Sequence, residues 1–521
     1  MYIYKYIPIL YMKVKNGLRY EKNGWVYLSI KGKPKERGYA HGFLMMKEIK
    51  EVFRMLEYSF YEDYGYKMAL FSEITSELFR PQIQGNYPEL YEEMEGITAG
   101  AIAAGYKGLT LDDIIMWNCQ TSIGSFYGQL PALIKANPKL AAKYGEIFKE
   151  GSGAEIGKGE GGGMQGGSSS SGMRAGAGTD KCTGFIVVGS YTHDGKIVCG
   201  HNSFDNFISG QHFNVILDIN PDKGNRFMMQ CAAGYISSQT DYYVTSSGLI
   251  CTETTIGGFN KFVLKDPICC RIRQAMQYSK TLDDVTKYLT TNNSGDYANS
   301  WLVGDTKTNT IMRIELGLEY VNVEKKKDGY FIGFNAPYDP RIRNLECANT
   351  GFDDLRRHQG ARRVRLEQLM EEHKGKINIA VGQEIMADHY DVYLNKINPS
   401  SRTCCSHYEL DDRAFMSDPS RPKPYQPRGA VDGIVCDTTL AKKMSFSARW
   451  GTSCGTPFNA SEFCKQNIIW KDQAPYLYDR PQQPWTDFSF HRNEKKANTK
   501  SKKKEEAIKL LRKTKKAKIV L

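Results

Sequence analysis

Thr179-Asp180-Lys181-Cys182-Thr183-Gly184-Phe185-Ile186-Val187-Val188 marks the point where a Gly/Ser-rich stretch turns abruptly into an apolar, β-branched run. The run reads as a strand with Cys182 near its first position. A second short run, Lys196-Ile197-Val198-Cys199, follows across Thr192-His193-Asp194-Gly195, which has hairpin turn chemistry. With the turn centred on His193, antiparallel pairing sets residues 203–205 opposite Cys182 and returns His201 and Asn202 to within side-chain reach of the thiol. A tight Asp194-Gly195 turn shifts that register by a few residues. A cysteine so placed has two readings. It is a small buried hydrophobe, or it is a nucleophile whose α-amino group, freed by cleavage of the Lys181–Cys182 bond, takes up the thiol proton. His201 likewise reads as a structural histidine or as a neighbour of the thiol.

Outward from this junction the chain changes texture. Residues 151–178 hold twelve glycines and the run Ser168-Ser169-Ser170-Ser171. Such a stretch buries too little apolar surface to offset its ordering entropy, so 151–181 is expected to be a disordered linker open to processing. Upstream, Trp25–Ile30 reads as a strand, and Gly42 to Tyr58 carries apolar residues at helical spacing. Downstream strands are expected at Asn214–Leu217, Phe227–Cys231, Leu249–Thr252, Ser300–Val303 and Thr310–Ile314, with helices over Ile272–Tyr278 and Asp354–His373. A strand-rich core with helices packed outside it is α+β rather than doubly wound. The expected division is an extension over 1–23, an N-terminal part of the domain over 24–150, the linker 151–181, a core over 182–490 and a tail over 491–521.

The 521 residues carry a net charge of +12. Thirteen Lys/Arg against three Glu lie in 491–521, so the tail holds +10 of it and the body is nearly neutral. That location argues against a nucleic-acid-binding body. The tail reads as a solvated segment, with weak contact to an anionic membrane surface as its alternative. Thirteen cysteines, an odd number in a long chain, do not form a disulfide framework, and no CxxC or paired Cys/His spacing reads as a zinc site. Lys5 and Pro8 break the apolar patch of residues 1–12, so no signal peptide is expected there, and no run reaches transmembrane length. The sequons at Asn292 and Asn459 leave the compartment open.

The block from Gly234 through Tyr235-Ile236-Ser237-Ser238-Gln239-Thr240-Asp241-Tyr242-Tyr243 to Gly248-Leu249, continuing into Glu253-Thr254-Thr255-Ile256-Gly257, resembles the signature of the phospholipase B-like proteins. Asn293–Trp301 resembles a second motif of that family, and Gly433–Ala441 with Trp450–Ser453 and Pro457-Phe458 a third. Gly24–Tyr27 and Glu36–Gly42 are similar to the related acyltransferases typified by penicillin acyltransferase. The resemblance covers about residues 24–485. It implies a four-layer αββα N-terminal nucleophile hydrolase fold with two stacked antiparallel sheets, made as a precursor that cuts itself before a cysteine. Carried over by position, it implies Cys182 as nucleophile, His201 at the end of the second strand, Asn299 in the oxyanion hole, and Thr254 and Thr255 lining the site. Asp241 is implied as a supporting residue, and Arg362 matches an arginine of the acyltransferase branch. Many relatives place an Arg and an Asp in the strand after the nucleophile; here those positions are His201 and Phe204, closer to the phospholipase B-like branch. The implied substrate is a lipid acyl ester, with an N-acyl amide or a non-catalytic descendant of the fold as alternatives. The implied reaction uses neither metal nor organic cofactor.

Overall fold

The computed structural model describes residues 11–148, 182–238, 242–348, 350–414 and 423–489. Asp241, the whole expected linker 151–181 with Lys181, and the basic tail lie outside the described residues. In chain order the strands are β1 (Met12–Val14), β2 (Gly17–Lys22), β3 (Trp25–Gly32), β4 (Cys182–Gly189), β5 (Gly195–Asn206), β6 (Val215–Pro221) and β7 (Phe227–Cys231). Next come β8 (Tyr243–Thr245), β9 (Leu249–Thr255), β10 (Asn299–Asp305), β11 (Thr310–Leu316), β12 (Val321–Lys326) and β13 (Gly329–Gly333). A two-residue ribbon, β14 (Tyr390–Asp391) with β15 (Lys396–Ile397), stands apart from both large sheets. The last strands are β16 (Arg428–Ala430), β17 (Asp432–Asp437), β18 (Ser445–Trp450) and β19 (Thr486–Ser489).

One sheet has ten strands in the order β1-β2-β3-β6-β7-β8-β9-β10-β11-β12, and the other runs β13-β4-β5-β17-β18-β19 with β16 also on β5. Alternation along the strands decides how they stack. On β4, Ile186 and Val188 face inward and meet Ile216, Ile250 and Leu302 of the larger sheet. Phe185 and Val187, the intervening residues, face outward onto Leu366 and Leu369 of helix His358–Glu372 and Ile385 of helix Ile379–Met386. The outer face of the larger sheet, including Leu217, Met229 and Val303, packs on helices before residue 149 through Ile49, Ile97 and Trp117. The result is helices, sheet, sheet, helices: an α+β molecule with stacked sheets. Each fully buried Ile or Leu between the sheets contributes about 1.5–3 kcal/mol.

The expected strands all form, most of them longer than the apolar runs that announced them. The helix expected from Gly42 to Tyr58 is two helices, Pro34–Leu44 and Met46–Tyr64, because Met45 leaves helical geometry at φ −112°. Two further expectations need correction. Residues 12–22, read as an extension, form β1 and β2; Arg19 fixes them by donating to Glu48 of the second helix at 2.6 Å and to the Leu44 carbonyl at 2.9 Å. The larger sheet is also not wholly antiparallel, since β3 and β6 pair in parallel from Val26↔Val215 to Gly32↔Pro221. More than 180 residues separate the two strands, ample chain for the crossover a parallel pair requires.

Helices Pro34–Leu44 and Pro88–Ala103 meet backbone to backbone because Gly38 and Gly42 on one face Gly96 and Gly100 on the other. A Cβ built on Gly42 stands 1.9 Å from the Ile97 carbonyl oxygen, so any side chain there forces the helices apart. Gly42→Ala is expected to cost about 1–3 kcal/mol by overpacking. Gly85→Ala, where a Cβ meets nothing within 4 Å, is the matched control and should leave the urea midpoint unchanged or slightly raised.

Candidate active site at the start of β4

Cys182 opens β4 and pairs with Ser203 of β5; Thr183 pairs with Asn202 and Gly184 with His201. The residue opposite the thiol therefore falls in the window 203–205 that the His193-centred turn predicts. A register irregularity between Val187 and Gly189 precedes the turn. Cys182 is buried, 3% exposed. Its thiol lies 3.6 Å from Glu253 Oε1 on β9, positioned to donate to that carboxylate. Its backbone N–H points to Asn335 Oδ1 at 3.5 Å, and its carbonyl accepts from Arg362 Nη1.

Arg362 organises this corner. It is fully buried on helix His358–Glu372, and its guanidinium donates to Thr183 Oγ1 (3.0 Å), Asn335 Oδ1 (2.7 Å) and the Phe334 carbonyl (3.3 Å) as well as to Cys182. The planar fork explains why one side chain serves several oxygens at once. Its carbon centre lies 5.2 Å from the Phe204 ring centroid. Asn335 sits just beyond β13 with a left-handed backbone, φ 68°, and its amide nitrogen donates to the Thr255 carbonyl at 2.8 Å. It thereby links the end of β9 to the start of β4.

His201 is fully buried two residues along β5 from the residue opposite Cys182, and its Cδ2 lies 3.6 Å from where a Gly184 Cβ would stand. Burial pushes its pKa down to about 3, so it is a neutral imidazole at any working pH. Asn202 faces away from the inter-sheet space and donates to the carbonyls of Met386 (2.8 Å) and Cys404 (3.0 Å). Thr254 packs between two glycines that pair across strands, Gly184 and Gly333; a Cβ on Gly333 would stand 2.5 Å from it. Asn299 pairs with Thr255 and lies on the same face as Thr255 and Glu253, opposite to Thr254. Neither side-chain atom of Asn299, nor Thr254 Oγ1, has a hydrogen-bond partner among the described residues. Thr255 Oγ1 donates to the Tyr297 hydroxyl at 3.1 Å, which in turn donates to Glu253 Oε1 at 3.0 Å.

The structure thus gathers Cys182, Arg362, Glu253, Asn335, Tyr297 and Thr255 into one bonded network. His201 and Thr254 lie beside it on the inter-sheet face, and Asn299 shares the Glu253 face. Glu253 and Asn335 were not singled out from sequence. They contact Cys182 across 71 and 153 residues, and no local pattern announces either.

A cleft opens at the thiol, lined by Cys182, Ser203, Tyr235, Ser237, Ser238 and Tyr297 with Phe204, Phe213 and Ile272 as apolar walls. Its free volume is about 20 Å³, room for about one water molecule. The segment 233–238, in the block that resembles a family signature, is held in place from the N-terminal helices. Trp117 Nε1 donates to the Ala233 carbonyl (2.9 Å), Asn118 donates to the Gly234 carbonyl (3.0 Å) and accepts from the Ile236 N–H (2.8 Å), and His41 Nε2 accepts from the Gly234 N–H (2.9 Å). Behind Ser203, Asp432 accepts from the Ser203 N–H and from Gln230; burial raises its pKa to about 6.

Among the described residues no helix is long and apolar enough to cross a membrane, and no cysteine is joined in a disulfide. Known proteins resemble part of this chain. A phospholipase B from Crotalus adamanteus is 24% identical over 250 residues, 43% of this chain and 42% of that protein. Phospholipase B-like 1 of Homo sapiens is 26% identical over 261 residues, 44% and 43% of the two chains. An uncharacterized protein of Archaeoglobus fulgidus is 23% identical over 293 residues, 55% and 42% of the two chains. The matched part spans less than half the length of each of these relatives. The sequence profile named Phospholipase B, in contrast, matches residues 20–489, from β2 through the last residue of β19. The chain belongs to the phospholipase B family.

Proposed function

We propose that the chain is a cysteine hydrolase of lipid acyl esters that matures by cutting its own Lys181–Cys182 bond. The observation that carries this reading is the arrangement around the first residue of β4: thiol beside Glu253, backbone nitrogen facing Asn335 Oδ1, carbonyl held by Arg362. In the uncut chain the Cys182 nitrogen is an amide and cannot take a proton, so Glu253 is the base at hand. The thiol passes its proton to Glu253, and sulfur adds to the Lys181 carbonyl carbon. The amide nitrogen then leaves with the proton returned from Glu253, giving a thioester. Water hydrolyses that ester, which frees residues 1–181 with a new carboxylate and leaves Cys182 with its thiol and an α-amine.

In the mature site the amine, held against Asn335 Oδ1, accepts the thiol proton, and its pKa near neutrality suits it to that task. The thiolate attacks an acyl ester carbonyl, the alcohol leaves with the proton, and water releases the fatty acid. The developing oxyanion needs neutral donors; Asn299, whose amide hydrogens no described residue accepts, is the side chain assigned to it. His201, neutral and buried beside Gly184, is assigned no charge in the reaction. An acyl chain enters this cleft only by displacing flanking side chains, since the free space beside the thiol is that of a water molecule.

N-terminal sequencing of the purified protein tests the maturation half: a fragment beginning Cys-Thr-Gly-Phe is expected, and an intact chain or a different start refutes it. Matched ester and amide substrates with the same acyl group test the chemistry. Turnover confined to the amide would replace the lipase reading with an amidase.

A further inference from the structure

Behind Phe204, on the far side from the thiol, two imidazoles and two thiols converge. His407 Nε2 lies 3.1 Å from His389 Nε2, 3.4 Å from Cys405 Sγ and 3.5 Å from Cys454 Sγ. All four ligand atoms fall within 4.8 Å of one another. Hydrogen bonding does not explain the convergence. His407 Nδ1 is 2.7 Å from Glu409 Oε1, a distance at which an Nδ1–H donates to the carboxylate. In that tautomer the neutral ring turns its Nε2 lone pair toward three atoms that are themselves good metal ligands. A tetrahedral zinc with Zn–N of about 2.0 Å and Zn–S of about 2.3 Å separates its ligand atoms by about 3.3 Å for N···N and about 3.5 Å for N···S. The three spacings at His407 Nε2 match those edges.

We propose that His389, Cys405, His407 and Cys454 bind one zinc(II) ion that fixes three loops behind the catalytic hairpin. Four protein ligands close the coordination sphere and leave no position for substrate, which makes the site structural rather than catalytic. The outer shell has the features metal ligands require. Glu409 orients His407, while the Thr452 and Thr456 hydroxyls at 3.2 Å and the Thr456 N–H at 3.5 Å surround Cys454 Sγ. Two thiolates balance the two positive charges of the ion.

The ligands come from the turn after helix Ile379–Met386, from the segment before residue 410 and from the loop after β18. These loops already touch: the Cys405 N–H donates to the Asp388 carbonyl at 3.1 Å, and Ser453 Oγ donates to the Met386 carbonyl at 2.7 Å. The same Met386 carbonyl and that of Cys404 accept from Asn202 of β5. Phe204 of β5 packs against Cys405, Cys454 and Ala430 on one side and lies under Arg362 on the other. The ion therefore backs the strand that pairs with Cys182. No CxxC spacing announces the set, because the three loops meet only in the folded chain; His389 and Cys454 stand 18 and 47 residues from His407.

Full-length protein purified without chelator and analysed by mass spectrometry for bound metals is expected to carry about one zinc per chain, falling below about 0.2 in Cys405→Ser/Cys454→Ser and in His407→Gln. If the variants prove insoluble, exchange of wild-type zinc for cobalt(II) decides the matter, since tetrahedral thiolate ligation gives intense visible bands. Wild-type protein free of zinc, with Cys405 and Cys454 joined as a disulfide in non-reduced peptide maps or both freely alkylated, overturns the proposal. So does one zinc retained by the double cysteine variant.

Discussion

Cys182→Ala is expected to keep the chain whole across the 181–182 junction and to lower acyl ester hydrolysis by at least about 10³-fold. Under the proposed mechanism the two losses have one cause, since one sulfur is assigned both maturation and turnover. The fold should survive. The contacts that hold this corner are made by the Cys182 backbone, whose carbonyl and N–H meet Arg362 and Asn335, and alanine keeps both. Only a small buried sulfur is lost, at a cost of about 1 kcal/mol. Gel analysis, intact mass and a thermal melt on the same preparation separate chemistry from folding. A variant that is cut and turns over substrate at the wild-type rate would leave Cys182 as a buried structural thiol.

Glu93→Ala should produce the largest loss of stability among single substitutions in the N-terminal helices, about 3–5 kcal/mol. Its carboxylate is fully buried between Arg37 Nε at 2.6 Å and Arg273 Nη2 at 2.8 Å. Burial by itself raises a carboxyl pKa; here the adjoining Arg273 and Arg37 prevail and hold Glu93 below the usual range. Removing it takes from Arg273 the carboxylate it is paired with in the core, and from Arg37 one of three. Arg37 keeps Glu89 and the Gly32 carbonyl, whereas Arg273 retains the Ile236 carbonyl at 2.6 Å and Gln277. Since Ile236 belongs to the segment that borders the cleft, activity should fall with stability. Urea denaturation of Glu93→Ala beside Glu93→Gln, which keeps one acceptor, reads the effect; equal midpoints for wild type and Glu93→Ala would mean the network contributes nothing net.

The strands were legible where β-branched runs are dense, as in Phe185–Val188 and Phe227–Cys231. They were hidden where polar residues interrupt the pattern. In β2, Gly-Leu-Arg-Tyr-Glu-Lys looks like a solvated extension until Arg19 finds Glu48. The hairpin register at Cys182 was legible because turn chemistry and pairing rules are local. The rest of the site was not legible from local pattern: Arg362 was reached only through the family resemblance, and Glu253 and Asn335 not at all. Glu253, Asn335 and Arg362 reach Cys182 from three separate elements, and their meeting depends on sheet stacking and on the left-handed turn at Asn335. Strand alternation also divides residues that sequence position grouped: Thr255 shares a face with Asn299, whereas Thr254 points the other way, toward Gly184.

Because β3 lies beside β6, the residues before 149 and those after 181 are two halves of one core rather than two modules joined by a tether. In an uninterrupted chain those halves find each other at a fixed effective concentration. A backbone break between them changes the order of the reaction. Unfolding then ends in dissociation, and recovery becomes a second-order encounter that slows on dilution. The lifetime of the cut molecule is then set by how slowly it first opens, and each buried contact across the β3–β6 seam acts on that rate.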